Sequence, residues 1–478
     1  MSAATSPLPI AVDLDGSLVR TDTLHELALV LLRTHPLDLL RLPFWLAHGK
    51  AHLKHELALR AGIDAATLPY NEPLLAWLKE QKSAGRRLVL CTAADGLVAH
   101  AVARHLGIFD QVLVSGEGIN LAGPEKRAVL EREFGPRGFD YVGNSSVDLD
   151  VWSVANAAVV VSPSASLASK AAKVSELLAV FREPVRAGTM ARALRMHQWI
   201  KNLLLFVPLV AAHQLGEPAL VAAALFAFVS FSLCASGVYV ANDLLDLESD
   251  RAHPRKRRRP FASGALPIAL GVVLAPGLML AGLSIAVWID GGFAAWLAAY
   301  LVLTAAYSAR LKRMLLVDCV VLALLYTLRV VAGAAATGIA LSFWLLAFSV
   351  FVFFSLAFVK RYVELRGAVR KDEGELIRGR GYMVQDLAVV QAIGIAAGYA
   401  SVVILALYLQ GDTVRALYAR PEAMWGAVLL MLFWISWIWM KAGRGEVDDD
   451  PVVFAARDLT SLVVGLGILA CFVAAKLG

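Results

Sequence analysis

The segment Asn242-Asp243-Leu244-Leu245-Asp246-Leu247-Glu248-Ser249-Asp250 places acidic residues at the end of one apolar stretch and just before another. Charged side chains there are costly unless they line a polar cavity, so the segment indicates a functional site at a membrane. On a helix, Asp243, Asp246 and Asp250 have the spacing i, i+3, i+7, which predicts three carboxylates on one face. Such a group suits magnesium, which prefers oxygen ligands and commonly bridges protein to a diphosphate. The alternative is a solvated loop with capping acids, because basic residues follow at 251 and 255–259.

Long apolar stretches fill the chain after Lys201, and 58% of its 478 residues are apolar. Each stretch is close to the roughly 20 residues that a helix needs to cross a bilayer. Pro208 and His213 interrupt the first of them. The sequence predicts an all-α bundle of about nine membrane spans, which begin near Leu203, Ala219, Ile268, Phe293, Leu315, Phe343, Leu387, Ala423 and Leu459.

Basic residues are distributed unequally between the loops that connect these spans. The loops after the second, fourth, sixth and eighth spans hold nineteen Lys and Arg, whereas the opposite loops and the C-terminal tail hold three. The positive-inside rule therefore predicts that the basic loops and the N-terminal domain face the cytoplasm. The net charge of +6 comes largely from these basic loops and therefore reflects the topology and the negatively charged surface of the membrane. We expect no nucleic-acid partner. We also expect no cleaved signal, and a homo-oligomer is compatible with the sequence.

Three polar clusters in the first 185 residues each follow a short apolar strand. Asp13-Leu14-Asp15-Gly16 follows the first, Thr92 to Gly96 the second, and Gly143 to Asp150 the third. Parallel sheets place their ligands at the carboxyl ends of strands, and strands here alternate with helical segments. The sequence therefore predicts a doubly wound α/β domain whose polar clusters form one site.

These clusters, together with Lys126, resemble the four motifs of haloacid dehalogenase-type phosphatases over about residues 8–165. The resemblance implies that Asp13 is the nucleophile and Asp15 the general acid and base. It also implies that Thr92 binds phosphoryl oxygens and that Lys126 neutralises the charge between nucleophile and phosphate. A carboxylate can attack a phosphate dianion only where a metal and a lysine offset the repulsion. The implied magnesium ligands are Asp13, Asp15, Asn144 and Asp148.

The chain departs from this family at Asn144, where an acid is usual, so the implied metal site carries one negative charge less. An insertion at about residues 23–78 implies a helical cap that limits access to the site. Within it, Leu37 to Trp45 combines apolar residues with Arg41. This stretch suits either packing inside the cap or contact with the membrane surface, and both interpretations stay open.

The acidic segment and the nine predicted spans resemble the UbiA superfamily of intramembrane prenyltransferases over residues 192–478. Most of that superfamily has a second aspartate-rich motif after the sixth span, whereas this chain has Lys360-Arg361-Tyr362-Val363-Glu364. One metal–carboxylate site suits one diphosphate, and a separate basic group suits a monophosphate. The pattern looks like the decaprenyl-phosphate phosphoribosyltransferase branch. Further matches are residues 195–202, the basic continuation from Arg251, and residues 450–458.

This second resemblance implies a magnesium ion that binds the diphosphate of 5-phosphoribosyl diphosphate while an oxygen of polyprenyl phosphate attacks the sugar. The implied metal ligands are Asp243, Asp246 and Asp250, with Asn242 as a neutral ligand, and Asp243 and Asp246 are the implied catalytic pair. The implied groups for the sugar phosphate or the leaving group are Lys201, Arg257 and Arg258, and those for the lipid phosphate are Lys312, Lys360 and Arg361. Asn202, Tyr307 and Tyr362 are further implied substrate-binding residues. Single basic residues here also suit topology or lipid contact, and the two tyrosines suit an interfacial belt.

We therefore predict a phosphatase domain at residues 1–185 and a transferase domain at residues 186–478. Together they would make phosphoribosyl-phospho-polyprenol and remove its 5-phosphate, giving a precursor of lipid-linked arabinose in a bacterial inner membrane. Two alternatives stay open. One is prenyl transfer to an aromatic acceptor in quinone biosynthesis. The other is a transporter or scaffold that anchors a phosphatase.

Overall fold

The computed structural model describes residues 7–115, 120–162, 164–182, 187–371, 380–409, 411, 418–447 and 450–477. The chain forms two compact units. The first comprises Met1–Leu194 together with Tyr239–Ala275, and the second comprises Arg195–Val238 together with Pro276–Gly478. The acidic segment at 242–250 thus belongs to the same unit as the N-terminal residues. The functional boundary between residues 185 and 186 stays a prediction.

A six-stranded parallel sheet with the order β3-β2-β1-β4-β5-β6 forms the centre of the first unit. Ile10 and Val12 of β1 face one apolar core and Ala11 faces the other, because successive side chains alternate across a strand. The strands are β1 (Ile10–Val12), β2 (Leu88–Asp95), β3 (Gln111–Ser115), β4 (Asp140–Gly143), β5 (Ala157–Val161) and β6 (Glu176–Phe181). The predicted parallel sheet is confirmed. Strand β1 lies at the point where the order reverses, which is where such sheets bind ligands.

Helices and short 3-10 helices cover this sheet and build the region between β1 and β2. Asp22 caps the first helix, since its carboxylate accepts from the amide of Leu24 at 2.9 Å. Leu27 and Leu31, four residues apart, bury the same face of that helix. The helices are α1 (Thr23–Thr34), α2 (Leu42–Ala47), α3 (Lys50–Arg60), α4 (Glu72–Ser83), α5 (Gly96–Leu106), α6 (Pro124–Phe134), α7 (Leu149–Trp152), α8 (Ala165–Ala171) and α9 (Thr189–Ala193). The 3-10 helices are Pro36–Arg41, Ala65–Thr67 and Ser146–Asp148.

The rest of the chain is helical, and eight of the described helices are long and apolar enough to cross a membrane. The helices are α10 (Val207–Ala211), α11 (Pro218–Leu245), α12 (Leu247–Ala252), α13 (Ile268–Ile289), α14 (Gly291–Ala309), α15 (Val317–Thr337), α16 (Phe343–Lys371), α17 (Leu387–Leu409), α18 (Trp425–Arg444), α19 (Pro451–Ala455) and α20 (Leu459–Leu477). The long apolar helices are α11, α13 to α18, and α20. The 3-10 helices are Met196–Phe206, Lys256–Arg258, Leu311–Arg313, Val384–Asp386 and Pro421–Met424. The predicted multi-pass helical architecture is confirmed.

The span predicted to begin near Leu203 is wrong as a membrane-crossing helix. The chain instead forms the 3-10 helix Met196–Phe206 and then the five-residue helix α10. Pro208 lies in the first turn of α10, where its missing amide hydrogen costs nothing. His213, two residues beyond α10, has a φ of 57°, a left-handed conformation that stops helix propagation. The local backbone chemistry of Pro208 and His213 therefore overrides the apolar composition of this stretch.

Candidate active sites

The loop after β1 carries Asp13, whose carboxylate is buried and paired with a lysine. Lys126 of α6 donates from Nζ to Oδ1 of Asp13 at 2.7 Å and to the hydroxyl of Tyr141 at 2.9 Å. Tyr141 in turn donates to Oδ1 of Asp148 at 2.9 Å. Burial opposes the charge on Lys126, but the carboxylates of Asp13 and Asp148 outweigh it and raise the pKa of Lys126. A positive charge is therefore held beside the predicted nucleophile.

Asp15 and Thr92 lie at the same edge of the sheet. Burial raises the pKa of Asp15 to about 7, and the nearby charge of Asp22 adds to this shift. The amide of Thr23 donates to Oδ1 of Asp15 at 2.8 Å and orients the carboxyl group. The hydroxyl of Thr92 is buried and accepts from the amide of Ala94 at 3.0 Å. A carboxyl group with a pKa near neutrality can both give and take a proton.

Asn144, the departure from the family pattern, lies against the turn that follows Asp13 and Asp15. A Cβ atom placed on Gly16, whose φ is 74°, would lie 2.1 Å from the side-chain nitrogen of Asn144. Asp148 stabilises the loop that carries Asn144, because its Oδ2 accepts from the amides of Asn144 and Ser145 at 3.0 and 2.9 Å. It also accepts from the hydroxyl of Ser145 at 3.0 Å.

The donor chemistry at this edge fits a magnesium ion, since the available groups are hard oxygen atoms. Asp13 would contribute a carboxylate, and Asn144 its neutral side-chain oxygen. Among the residues that the structure describes, no three His, Cys, Asp or Glu side chains are grouped as ligands for one metal ion. Water and substrate phosphate would therefore complete the coordination, and Asp148 would act mainly through the loop that it orders.

Helix α3 contributes two side chains that the motifs did not reveal. Lys54 donates from Nζ to the carbonyl oxygen of Ala93 at 2.6 Å, and Nδ1 of His55 lies 3.0 Å from Oδ2 of Asp95. Burial lowers the pKa of Lys54, although the charge of Asp15 opposes this. The predicted cap thus reaches the carboxyl end of β2. The repeated Lys and His at 50–55 was the available signal, but helical cap sequences often carry such residues.

The acidic segment at 242–250 is not a single helix, so the prediction of three carboxylates on one helical face is wrong. Helix α11 ends at Leu245 and α12 begins at Leu247, with Asp246 between them. Asp243 and Asp250 are buried, whereas Asp246 is exposed. The break lies at Asp246, whose φ of −99° and ψ of 11° depart from helical values, although its amide still bonds to the carbonyl of Asn242.

Arg259 joins the two buried carboxylates of this segment. Its Nη1 donates to Oδ1 of Asp243 at 3.1 Å and to Oδ2 of Asp250 at 2.6 Å. Burial raises the pKa of Asp250, and the guanidinium of Arg259 opposes that shift. Two carboxylates directed at one cation form the kind of site that also suits magnesium. Asn242 is half-buried beside them, and Arg257 and Arg258 are exposed.

Helix α1 packs directly on the acidic segment within the first unit. Leu29 of α1 contacts a small apolar cluster that contains Leu244 and Leu247. Beside it, Arg251 donates from Nη2 and Nη1 to the two carboxylate oxygens of Glu26, at 2.6 and 3.2 Å. Combined apolar and ionic contacts therefore fix α1 against the end of the membrane-crossing helix α11.

The second unit contains a separate cationic group centred on Lys201. Lys201 forms an ion pair with Asp450, which caps α19 by accepting from the amide of Val452 at 3.2 Å. Burial lowers the pKa of Lys201 to about 8, and the positive charge of Lys360 lowers it further while Asp450 opposes both. Burial also lowers the pKa of His197, and nearby positive charges lower it further. Repulsion among these cations means that an additional anion would be stabilised here.

Asn202, the neighbour of Lys201, forms hydrogen bonds to protein groups through both of its side-chain polar atoms. Its Nδ2 donates to Oγ of Ser232 at 2.9 Å, and its Oδ1 accepts from Nε of Arg329 at 3.0 Å. Arg329 also donates from Nη2 to the hydroxyl of Tyr300 at 3.2 Å. Sequence patterns did not single out Arg329, since it lies within an apolar span. Asn202 therefore holds the backbone beside Lys201 in place.

Arg361 is completely buried in an ion-pair network and does not have the exposure that a phosphate-binding group requires. It pairs with Asp318 and Glu364, and the hydroxyl of Tyr382 donates to Oδ1 of Asp318 at 2.6 Å. Tyr307 belongs to the same region, since its hydroxyl accepts from Nη1 of Arg380 at 3.2 Å.

Three further predicted substrate-binding residues lie in the second unit. Lys360 and Lys312 are partly exposed. The ring of Tyr362 packs edge-on against Trp439, with centroids 5.8 Å apart. Lys360 precedes the buried Arg361 within helix α16 and is itself partly exposed.

A cavity of about 860 Å³ also lies within the second unit. Its walls are mostly apolar and include Leu203, Phe206, Phe348 and Phe472, with His213 as one of its few polar groups. Large cavities with apolar walls suit hydrocarbon ligands. Leu203, the first residue along the chain that lines this cavity, lies two residues after Lys201.

Comparisons with known proteins give matches to both parts of the chain. The UbiA prenyltransferase family matches residues 203–456. An uncharacterized protein of Sinorhizobium fredii, y4nM, is 39% identical over 476 residues, covering 98% of this chain and 91% of that protein. The decaprenyl-phosphate phosphoribosyltransferase of Mycolicibacterium smegmatis is 40% identical over 185 residues, covering 38% of this chain and 58% of that protein. A solved UbiA homolog from Archaeoglobus fulgidus bound to GPP and Mg2+ is 15% identical, with a TM-score of 0.45 over 60% of this chain and 98% of that one.

Proposed function

The chain belongs to the UbiA prenyltransferase family, and from this premise we propose that it transfers 5-phosphoribose from 5-phosphoribosyl diphosphate to a polyprenyl phosphate. The observation that carries the proposal is the presence of two different kinds of anion site. Asp243 and Asp250 converge on one cation, whereas Lys201 and Lys360 form a cationic group without a second aspartate-rich motif. The similarity to decaprenyl-phosphate phosphoribosyltransferases supports the same substrates.

In this reaction the acidic segment binds the leaving diphosphate and the basic group binds the lipid phosphate. Magnesium would be held by Asp243 and Asp250, with Asn242 as a neutral oxygen donor, and would neutralise the departing diphosphate. Asp246 is exposed and is not grouped with these two carboxylates. An oxygen of the lipid phosphate forms a bond to the anomeric carbon as the bond to diphosphate breaks. The attacking oxygen is already anionic, so no base is required. Arg257 and Arg258 are exposed and suit the sugar 5-phosphate.

The resemblance assigns Lys201 to the sugar phosphate or the leaving group, but Lys201 lies close enough to Lys360 for their charges to interact. Lys201 would therefore bind the polyprenyl phosphate together with Lys360, Lys312 and Tyr362, and the apolar cavity would hold part of the lipid tail. Asn202, Arg361 and Tyr307 act as positioning residues in this proposal. Asn202 and Tyr307 hydrogen-bond to protein groups, and Arg361 is completely buried in ion pairs with Asp318 and Glu364. The sites would face the cytoplasm of a bacterial cell.

We propose further that the N-terminal domain is a haloacid dehalogenase-type phosphatase that removes the 5-phosphate from this product. Asp13 would attack phosphorus and form a phosphoaspartate as the bond from phosphorus to the 5-oxygen of the sugar breaks, while Asp15 protonates that departing oxygen. Asp15 would then take a proton from the water that cleaves this intermediate. Lys126 and a magnesium ion would offset the charge on the phosphoryl group, and Thr92 would orient it. The final product, ribosyl-phospho-polyprenol, is a precursor of lipid-linked arabinose.

One incubation tests both steps. The purified full chain is supplied with magnesium, 5-phosphoribosyl diphosphate and polyprenyl phosphate, and the lipid products are resolved by mass. We expect the wild type to give the ribosyl lipid and Asp13→Asn to give a lipid heavier by one phosphate group. Asp243→Ala should give neither product, whereas Glu72→Gln, on the exposed start of α4, should behave as wild type. Release of phosphate by Asp13→Asn would contradict the phosphatase proposal. In a separate incubation, formation of a product from prenyl diphosphate and 4-hydroxybenzoate would contradict the transferase proposal.

A further inference from the structure

The two short helices after α1 carry large apolar side chains that the protein does not cover. Leu37 is 79% exposed, Leu40 73% and Phe44 70%, and Leu46 beside them is 51% exposed. Trp45 is buried, so packing within the cap explains that residue and not the other four. We call these four side chains the cap patch. Apolar side chains clustered at this exposure mark a surface that binds something apolar.

We propose that the lipid bilayer covers the cap patch, so that the cap inserts into the membrane interface. The patch follows helix α1, which packs through Leu29 and Glu26 on the acidic segment. That segment continues directly from α11, a helix long and apolar enough to cross a membrane. Arg33, near the end of α1, is itself paired with Glu248. Leu37 is four residues further on, and four residues span at most about 14 Å. The patch therefore lies close to the end of a membrane-crossing helix.

The charges around the cap patch suit lipid headgroups rather than a wholly apolar partner. Arg41 is exposed within the patch, with Asp38 at 3.0 Å, and Lys50 is exposed immediately after it. Long basic side chains beside apolar ones can bury their carbon chains and keep the charge at the headgroups. Anionic lipids at the cytoplasmic surface attract such residues.

This placement gives the cap patch a function that rests on the proposed phosphatase activity. Helix α3 begins at Lys50, four residues after Leu46, and its Lys54 and His55 contact the carboxyl end of β2 at the edge of the sheet that carries the Asp13 site. A cap anchored in the interface would hold that site where a phosphate carried by a lipid can reach it. A soluble phosphate ester would need no such anchoring.

A fluorescent probe at the patch tests membrane contact without relying on any activity. Leu40→Cys is labelled with an environment-sensitive dye in the full chain, one copy per nanodisc, with lipids that carry a nitroxide quencher at the headgroup or along the acyl chain. The new cysteine is introduced into a chain that carries Cys471→Ser, so that the dye does not label Cys471. The other three cysteines are buried. We expect strong quenching by nitroxide near the headgroup at Leu40→Cys. A label at Ser169→Cys, on the exposed face of α8, should stay unquenched.

Equal and weak quenching at both positions would overturn the proposal. A label that is shielded from water but not quenched by either lipid would also overturn it, since a protein partner would then cover the patch.

A second measurement separates this inference from the phosphatase proposal. Replacement of Leu37, Leu40 and Phe44 by Ser should reduce hydrolysis of the phosphoribosyl lipid several-fold and leave hydrolysis of a small soluble phosphate ester unchanged. An equal loss on both substrates would contradict a role in reaching lipid substrates. If the wild type hydrolyses neither substrate, the phosphatase proposal fails, whereas the quenching result still decides membrane contact.

Discussion

Glu26 and Arg251 form an ion pair that is almost completely buried, with side chains 6% and 7% exposed. The pair links helix α1 to the acidic segment. Arg33 and Glu248 link the same two elements, but their side chains are 41% and 48% exposed. The two pairs therefore differ mainly in burial, which decides how much each contributes to stability.

Removing one partner of the buried pair should destabilise the first unit strongly. Glu26→Ala leaves the guanidinium of Arg251 buried without its carboxylate, which typically costs about 3–5 kcal/mol. Arg33→Ala breaks the exposed pair and should cost less than about 1 kcal/mol. Thermal unfolding of the purified protein, read by limited proteolysis of the N-terminal region, measures both. Glu26→Ala with Arg251→Leu should recover part of the loss. Equal losses of stability in the two single variants would show that burial does not determine how much each ion pair contributes.

Asn144→Asp should strengthen magnesium binding at the proposed phosphatase site. Asn144 lies against the turn at Gly16, next to Asp13 and Asp15, so the new carboxylate would add a charged ligand. Ligand charge tunes the affinity of such sites, and we expect a gain of roughly tenfold. Magnesium titration of the hydrolysis of a soluble phosphate ester measures it. Gln81→Glu adds the same charge on α4 near Arg86 and should leave the titration unchanged. An unaltered magnesium dependence in Asn144→Asp would place the metal away from this residue.

The parallel sheet was predictable because its strands are short apolar runs and each site cluster directly follows one. Asp13, Thr92 and Asp148 then had to meet at one edge, and they do. Their partners were less predictable. Tyr141 looks like an ordinary strand residue, yet its hydroxyl lies between Lys126 and Asp148.

In the membrane region, sequence patterns predict the helices but not where each helix ends. Its apolar helices follow from composition, but composition does not show where a helix stops, so the predicted helical face wrongly includes Asp246 beside Asp243 and Asp250. Arg259, nine and sixteen residues from those two carboxylates, joins them only after the chain has turned. Such a contact depends on tertiary folding, which periodicity does not record.

Replacing Arg259 should make the protein depend on magnesium for stability. Arg259→Gln removes the cation that the carboxylates of Asp243 and Asp250 share, and leaves two buried acids close together. Loss of one partner from such a group costs about 3 kcal/mol or more. A cation that binds the folded state restores stability by mass action. We therefore expect a lower melting temperature without magnesium and a larger rise on its addition than in wild type.

Arg258→Gln is the matched control for this change, because Arg258 precedes Arg259 and is exposed. Its melting temperature should respond to magnesium as that of the wild type does. If Arg259→Gln shows no larger response than Arg258→Gln, magnesium does not bind between the two carboxylates.

The binding of polyprenyl phosphate should weaken as the pH rises through about 8. Burial lowers the pKa of Lys201 to about 8, so this side chain is charged below that pH and neutral above it. Asp450 stays ionised over this range, because Lys201 and Lys360 outweigh its burial and lower the pKa of Asp450. One pH unit above the pKa, only about a tenth of the lysine remains charged, so KM for the lipid should rise up to about tenfold. Arginine stays charged throughout, so Lys201→Arg should abolish this rise even if its maximal rate is lower. Transfer rates at limiting lipid concentration, measured between about pH 7 and 9, provide the test, with Lys441→Arg as a control outside the site. The same upward trend of KM in Lys201→Arg would assign the titration to another group.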